Sequence, residues 1–108
     1  MDEIYSCYIE KGTEPSLEFV LPFDVSQIKK ARVVVRCPVT GAIVKKETAA
    51  LTMTEQTVSC RLTQEDTFLF PCNTYAEVQL RILTVENVPL KTEVFHAFVT
   101  RCLDEEVI

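Results

Sequence analysis

His96 is the only histidine of the chain, and the five cysteines are Cys7, Cys37, Cys60, Cys72 and Cys102. Between them they could in principle supply a nucleophile and its base. A thiol becomes an effective nucleophile when an imidazole takes its proton and a third group orients the imidazole. His96 lies inside the apolar run "EVFHAFV", and no neighbouring residue is suited to orient it. It reads as a packed or interface residue. The cysteines are odd in number and none are spaced as a C-x-x-C half-site, so neither a disulfide framework nor a zinc site is expected. Cys60 alternates with Val58 and Leu62 and reads as a small core residue. The adjacent carboxylates Glu65 and Asp66 lack the ligand spacing of a calcium loop. Asp66 follows Thr63 by three positions, the spacing of a helix capping box. The two glycines, Gly12 and Gly41, are isolated, so no phosphate-cradling loop can form. The expectation is a non-enzyme with no catalytic residue, no metal site and no cofactor.

These residues must be positioned by short strands. β-Branched and aromatic residues recur with period two, not with the 3.6 of a helix. Seven runs read as strands: Ile4 to Ile9, Ser16 to Leu21, Ala31 to Arg36, Ala42 to Lys46, Thr57 to Leu62, Tyr75 to Leu83 and Leu90 to Arg101. Leu17, Phe19 and Leu21 point inward, as do Ala31, Val33 and Val35, and likewise Ala76, Val78, Leu80 and Ile82. Two segments interrupt the pattern, "DVSQI" and "TQED", each opening on an N-cap residue, Asp24 or Thr63. Gln27 and Asp66 are placed to reach back to the cap, and each turn is expected to carry the chain from one sheet to the other. The sequence predicts one domain over residues 1–108. Its expected fold is an immunoglobulin-like antiparallel β-sandwich of about seven strands with one or two single-turn helical crossovers. A partly open barrel is the alternative.

Bulk properties agree with a globular module. Of 108 residues, 47% are hydrophobic and 25% charged, with a formal net charge of −5. The isoelectric point is near 4.8. That balance disfavours nonspecific attraction to nucleic acid or to anionic membranes. No apolar run reaches the roughly 18 residues of a membrane span, and the acidic start "MDEIYSC" is unlike a signal peptide. Neither a nucleic-acid partner nor a membrane partner is expected.

Surface patterning is the more informative feature. If the third, sixth and seventh runs share a sheet, its outer face carries Arg32, Val34, Arg36, Glu77, Gln79 and Arg81. The last run is apolar on both faces from Val94 to Val99, which places Phe95, His96 and Phe98 beside that surface. Long amphipathic side chains around apolar spots suit protein–protein docking. The pairs Lys29–Lys30 and Lys45–Lys46 read as solvated turn and edge charges.

The segments "LPFDVSQIKKARVVV" and "LTQEDTFLF…YAEVQLRILTVENVPLKTEVFHAFVTRCLDEEVI" carry a family resemblance. They resemble small β-sandwich structural or accessory proteins of phages and prophages of Gram-positive bacteria. More distantly, the order of elements is similar to the N-terminal sandwich of phage baseplate upper proteins. The resemblance spans about Leu17 to Ile108 and carries over no catalytic residue. It implies a tail- or baseplate-associated protein that acts through contacts with other phage structural proteins or with itself, as a homo-oligomer. Synthesis in the bacterial cytoplasm, without a secretion signal, and incorporation into a virion follow as expectations. A monomeric host-directed or regulatory binding module is the alternative function.

Overall fold

A computed structural model describes residues 7–108. The chain is all-β, with nine strands among the described residues: β1 Cys7–Glu10, β2 Ser16–Val20, β3 Ile28–Arg36, β4 Ile43–Glu47, β5 Leu51–Thr54, β6 Thr57–Arg61, β7 Thr74–Thr84, β8 Pro89–Lys91 and β9 Phe95–Thr100. One α-helical turn, α1, spans Gln64–Phe68, and single 3-10 turns cover Val25–Gln27 and Thr48–Ala50. The larger sheet runs β1-β9-β7-β3-β4, with β8 also paired to β7, and the smaller runs β2-β6-β5. With β2 to β7 and β9 standing for the strands B, C, C′, D, E, F and G, these are the two sheets of an immunoglobulin-like sandwich. Positions 4–6 of the first expected run lie outside the described residues.

Period two explains the core. Val33, Val35, Val58, Cys60, Leu62, Ala76, Leu80, Ala97 and Val99 are all buried, and they fill the space between the two inner faces. Leu17 and Phe19 point into the core from β2, while Val20 is 79% exposed. Phe19 meets Phe95 across the sheets, ring centroids 6.3 Å apart.

All three helical turns sit where the chain changes sheets, after β2, β4 and β6. At α1 the capping box is complete: Thr63 Oγ1 accepts from Asp66 N–H, and Asp66 Oδ2 accepts from Thr63 N–H. In the first turn the cap rests on Asp24 Oδ1, which accepts from Ser26 N–H. The buried Thr67 hydroxyl donates to the Gln64 carbonyl and accepts from Gly12 N–H, tying α1 to the β1–β2 turn. Gly12 has φ +89°, and a Cβ there would come within 2.9 Å of Cys102 Sγ, so the turn is held to glycine on two counts.

Three features depart from the sequence reading. β1 pairs parallel to β9, Tyr8 facing Phe98, so the larger sheet is mixed. β5 is an additional strand, a short hairpin partner of β6. The expected strand Leu90 to Arg101 is broken into β8 and β9. Arg81 faces Lys91 while Val78 faces Phe95, three steps along β7 against four along its partner. One extra residue is therefore accommodated near Thr92, whose hydroxyl accepts from Leu80 N–H while its own N–H donates to the Leu80 carbonyl.

Candidate docking face

The outer face of the larger sheet is laid out in cross-strand rows. Arg32 faces Arg81, Val34 faces Gln79 and Arg36 faces Glu77 across β3 and β7, so these six expected residues share one surface. β9 adds His96 opposite Glu77 and Phe98 opposite Tyr75. β4 adds Ile43, Lys45 and Glu47 at the far edge.

Two regions of different chemistry result. Toward the start of β7, Tyr8, Phe98, Tyr75 and His96 form an aromatic cluster. Tyr8 packs edge-on to Phe98 at 6.3 Å, and Tyr75 lies 4.9 Å from the His96 ring. Tyr8 is 61% exposed, Phe98 and Tyr75 are half-buried and His96 is exposed. Arg36 and Glu77, 3.7 Å apart, border the cluster. Toward the end of β7 the surface is basic: Lys91, Arg81 and Arg32 occupy one row, and Glu47 closes it by binding Arg32 Nε at 2.6 Å.

Phe95 is corrected. It was expected on this surface, but the extra residue near Thr92 inverts the phase of β9, and Phe95 turns inward against the core, opposite Val78. Lys46 is corrected as well. It is not a solvated edge charge: it points inward from β4 to an ion pair with Asp66 at 2.7 Å, with only a fifth of its side chain exposed. Burial pushes the Asp66 carboxyl up, but the Lys46 ammonium and the Thr63 hydrogen bonds outweigh it and hold the carboxyl below its ordinary value. Beside this pair the Cys60 thiol is pushed up to about 11, chiefly by burial; Lys46 opposes the rise and Asp66 adds to it.

Tyr8 and Tyr75 are members of the face that the sequence reading missed. Tyr75 was legible by alternation, one position before the inward Ala76. Tyr8 was not, because its place depends on a parallel pairing with a strand some ninety residues away.

A cleft of about 260 Å³ opens between the sheets beside the β2 edge, walled by Leu17, Phe19, Val78, Thr92 and Phe95. Its lining holds no histidine, cysteine or lysine. Among the described residues, no three His, Cys, Asp or Glu side chains converge as metal ligands. No helix among them is long and apolar enough to cross a membrane. Compared with known proteins, the chain matches no family model, no curated protein and no solved structure.

Proposed function

We propose that this chain is a non-enzymatic docking module, a structural or accessory protein of a phage or prophage associated with the tail or baseplate. The observation that carries the docking role is the aromatic cluster of Tyr8, Tyr75, His96 and Phe98 on a strand-supported face. Aromatic side chains supply large contact area at small entropic cost, and Tyr in particular is enriched at the centres of interfaces. The rigid sheet beneath holds them in position, so little ordering remains to be done on binding. The phage assignment rests on the resemblance of "LPFDVSQIKKARVVV" and "LTQEDTFLF…YAEVQLRI" to that group. In this reading the chain is made in the bacterial cytoplasm and joins a virion or its assembly intermediates.

Affinity purification of the tagged chain from cells in which the prophage is induced tests the proposal. Tail or baseplate proteins are the expected catch, and Tyr8→Asp with Tyr75→Asp is expected to reduce their recovery at least tenfold. Recovery of one host enzyme in equal amount, with no virion protein, would replace this reading with the host-directed binding module.

A further inference from the structure

The basic region of the same sheet is a groove with a charge problem. Lys91, Arg81 and Arg32 stand in consecutive cross-strand positions, an arrangement in which like charges oppose one another and weaken the sheet. Glu47 answers Arg32, but among the described residues no carboxylate lies within ion-pair distance of Arg81, Lys91 or Lys30. Lys30, Arg32 and Arg81, with the Arg32-bound Glu47, line a depression of about 260 Å³ whose apolar lining includes Leu83, Pro89 and Leu90, and Lys91 stands beside it as the cross-strand neighbour of Arg81. Cationic rim and apolar floor together call for an acidic segment with apolar side chains at its ends.

The chain itself carries such a segment. After β9 comes "LDEEVI", Leu103 to Ile108, with three successive acids between apolar residues. It is laid against the domain in a defined shape. The Gln64 side-chain amide clasps Ile108, donating to its carbonyl at 2.9 Å and accepting from its N–H at 3.1 Å. The buried Lys11 pairs with Glu105. Leu103 is 90% exposed, Ile108 is 96% exposed, and Asp104 and Glu106 face solvent. The segment is thus held by the domain while it presents both acidic and apolar groups outward.

Held by Gln64 and Lys11, it lies at the far end of the strands from the groove of its own molecule. The segment leaves β9 beside Thr74, whereas the groove lies at Leu83, about 30 Å along β7 at ~3.3 Å per residue. We infer that residues Leu103–Ile108 of one copy dock in the Lys30–Arg81–Lys91 groove of a second copy, so that identical chains associate head to tail. Such a contact is heterologous: each copy offers a groove at one end and a segment at the other, and the result is a ring or a filament. The inference goes beyond the docking reading and uses a surface separate from the aromatic cluster.

Light scattering behind size exclusion, over a roughly hundredfold concentration range, tests it with two double variants of the full chain. Arg81→Glu with Lys91→Glu reverses the groove, and Asp104→Lys with Glu106→Lys reverses the segment. All four positions are exposed, and the circular dichroism of each variant should match that of the parent. The parent chain is expected to rise above 12.3 kDa with concentration, and each variant alone to stay at that mass. Mixing the two variants is expected to restore the higher masses, because each supplies the partner charge that the other lost. A parent that stays monomeric throughout would overturn the inference, as would oligomers indifferent to either reversal or a mixture that fails to reassociate. Tyr8→Asp with Tyr75→Asp, which tests the aromatic face, is expected to leave this association intact, so the two readings fail separately.

Discussion

At the residue scale the most consequential pair is Lys46 with Asp66. Each side chain is about four-fifths buried, and each arrives from a different element, β4 and α1. An ion pair this dry lies between an exposed pair, worth under about 1 kcal/mol, and a fully buried one, whose breaking costs about 3–5 kcal/mol. Because the folded carboxyl of Asp66 lies below its ordinary value, its contribution is complete above the ordinary carboxylate range. It is lost as pH falls through the folded value, where the unfolded chain has already taken up its proton. Lys46→Met is therefore expected to lower stability at pH 6 by about 1–3 kcal/mol. It should also flatten the decline between pH 6 and pH 3, as read from urea midpoints at both. An unchanged slope would show that other carboxylates carry the acid sensitivity. The capping of α1 by Thr63 and Asp66 was legible from the four residues "TQED". The ion pair was not, since spacing along the chain places Lys46 at a strand edge and says nothing of the turn that crosses beneath it.

At the scale of elements, alternation was legible wherever a strand runs unbroken. β3, β6 and β7 show the inward and outward residues that their period predicts, and neighbouring β3 and β7 bring Arg32, Val34, Arg36, Glu77, Gln79 and Arg81 onto one face. Legibility ended at Thr92, where one extra residue shifts the pairing and exchanges the faces of everything after it. No glycine or proline marks that site. The signal is a threonine hydroxyl answering the Leu80 N–H, which sequence spacing does not reveal. The register of β7 makes a sharp contrast between neighbours. Leu80→Ala, at a fully buried position, is expected to cost about 2–5 kcal/mol by transfer and cavity terms. Gln79→Ala, one position away on the outer face, should lose only the bond from Nε2 to the Thr92 carbonyl, about 1 kcal/mol. Denaturant unfolding of the two variants tests the inner and outer assignment of the sheet, and costs of similar size would contradict it.

At the scale of the whole molecule, the distribution of charge matters more than its sum. The net charge of −5 opposes association of copies at long range. Yet Lys30, Arg32, Arg81 and Lys91 gather at one end of the strand axis, and Asp104, Glu105 and Glu106 follow β9 at the other. Two copies brought head to tail gain local attraction against that repulsion, and the two effects respond differently to salt. The screening length falls from about 30 Å at 0.01 M salt to about 3 Å at 1 M. Repulsion between net charges acts across the width of the molecule and is the first to be screened, so association should strengthen slightly as salt rises from the lowest values. Contacts between the groove and the acidic segment are short and partly exposed, each worth under about 1 kcal/mol. Several weakening together amount to about 1.4 kcal/mol, or roughly tenfold in Kd, by 1 M salt. The apparent mass of the parent chain should then pass through a maximum and fall back toward 12.3 kDa at high salt. Association through Tyr8, Tyr75 and Phe98 would behave oppositely, since apolar contacts are unweakened by chloride and strengthened by sulfate. Mass measured in sodium chloride and in sodium sulfate at equal ionic strength separates the two. Dissociation in both salts assigns the contact to charge, and persistence in sulfate assigns it to the aromatic face.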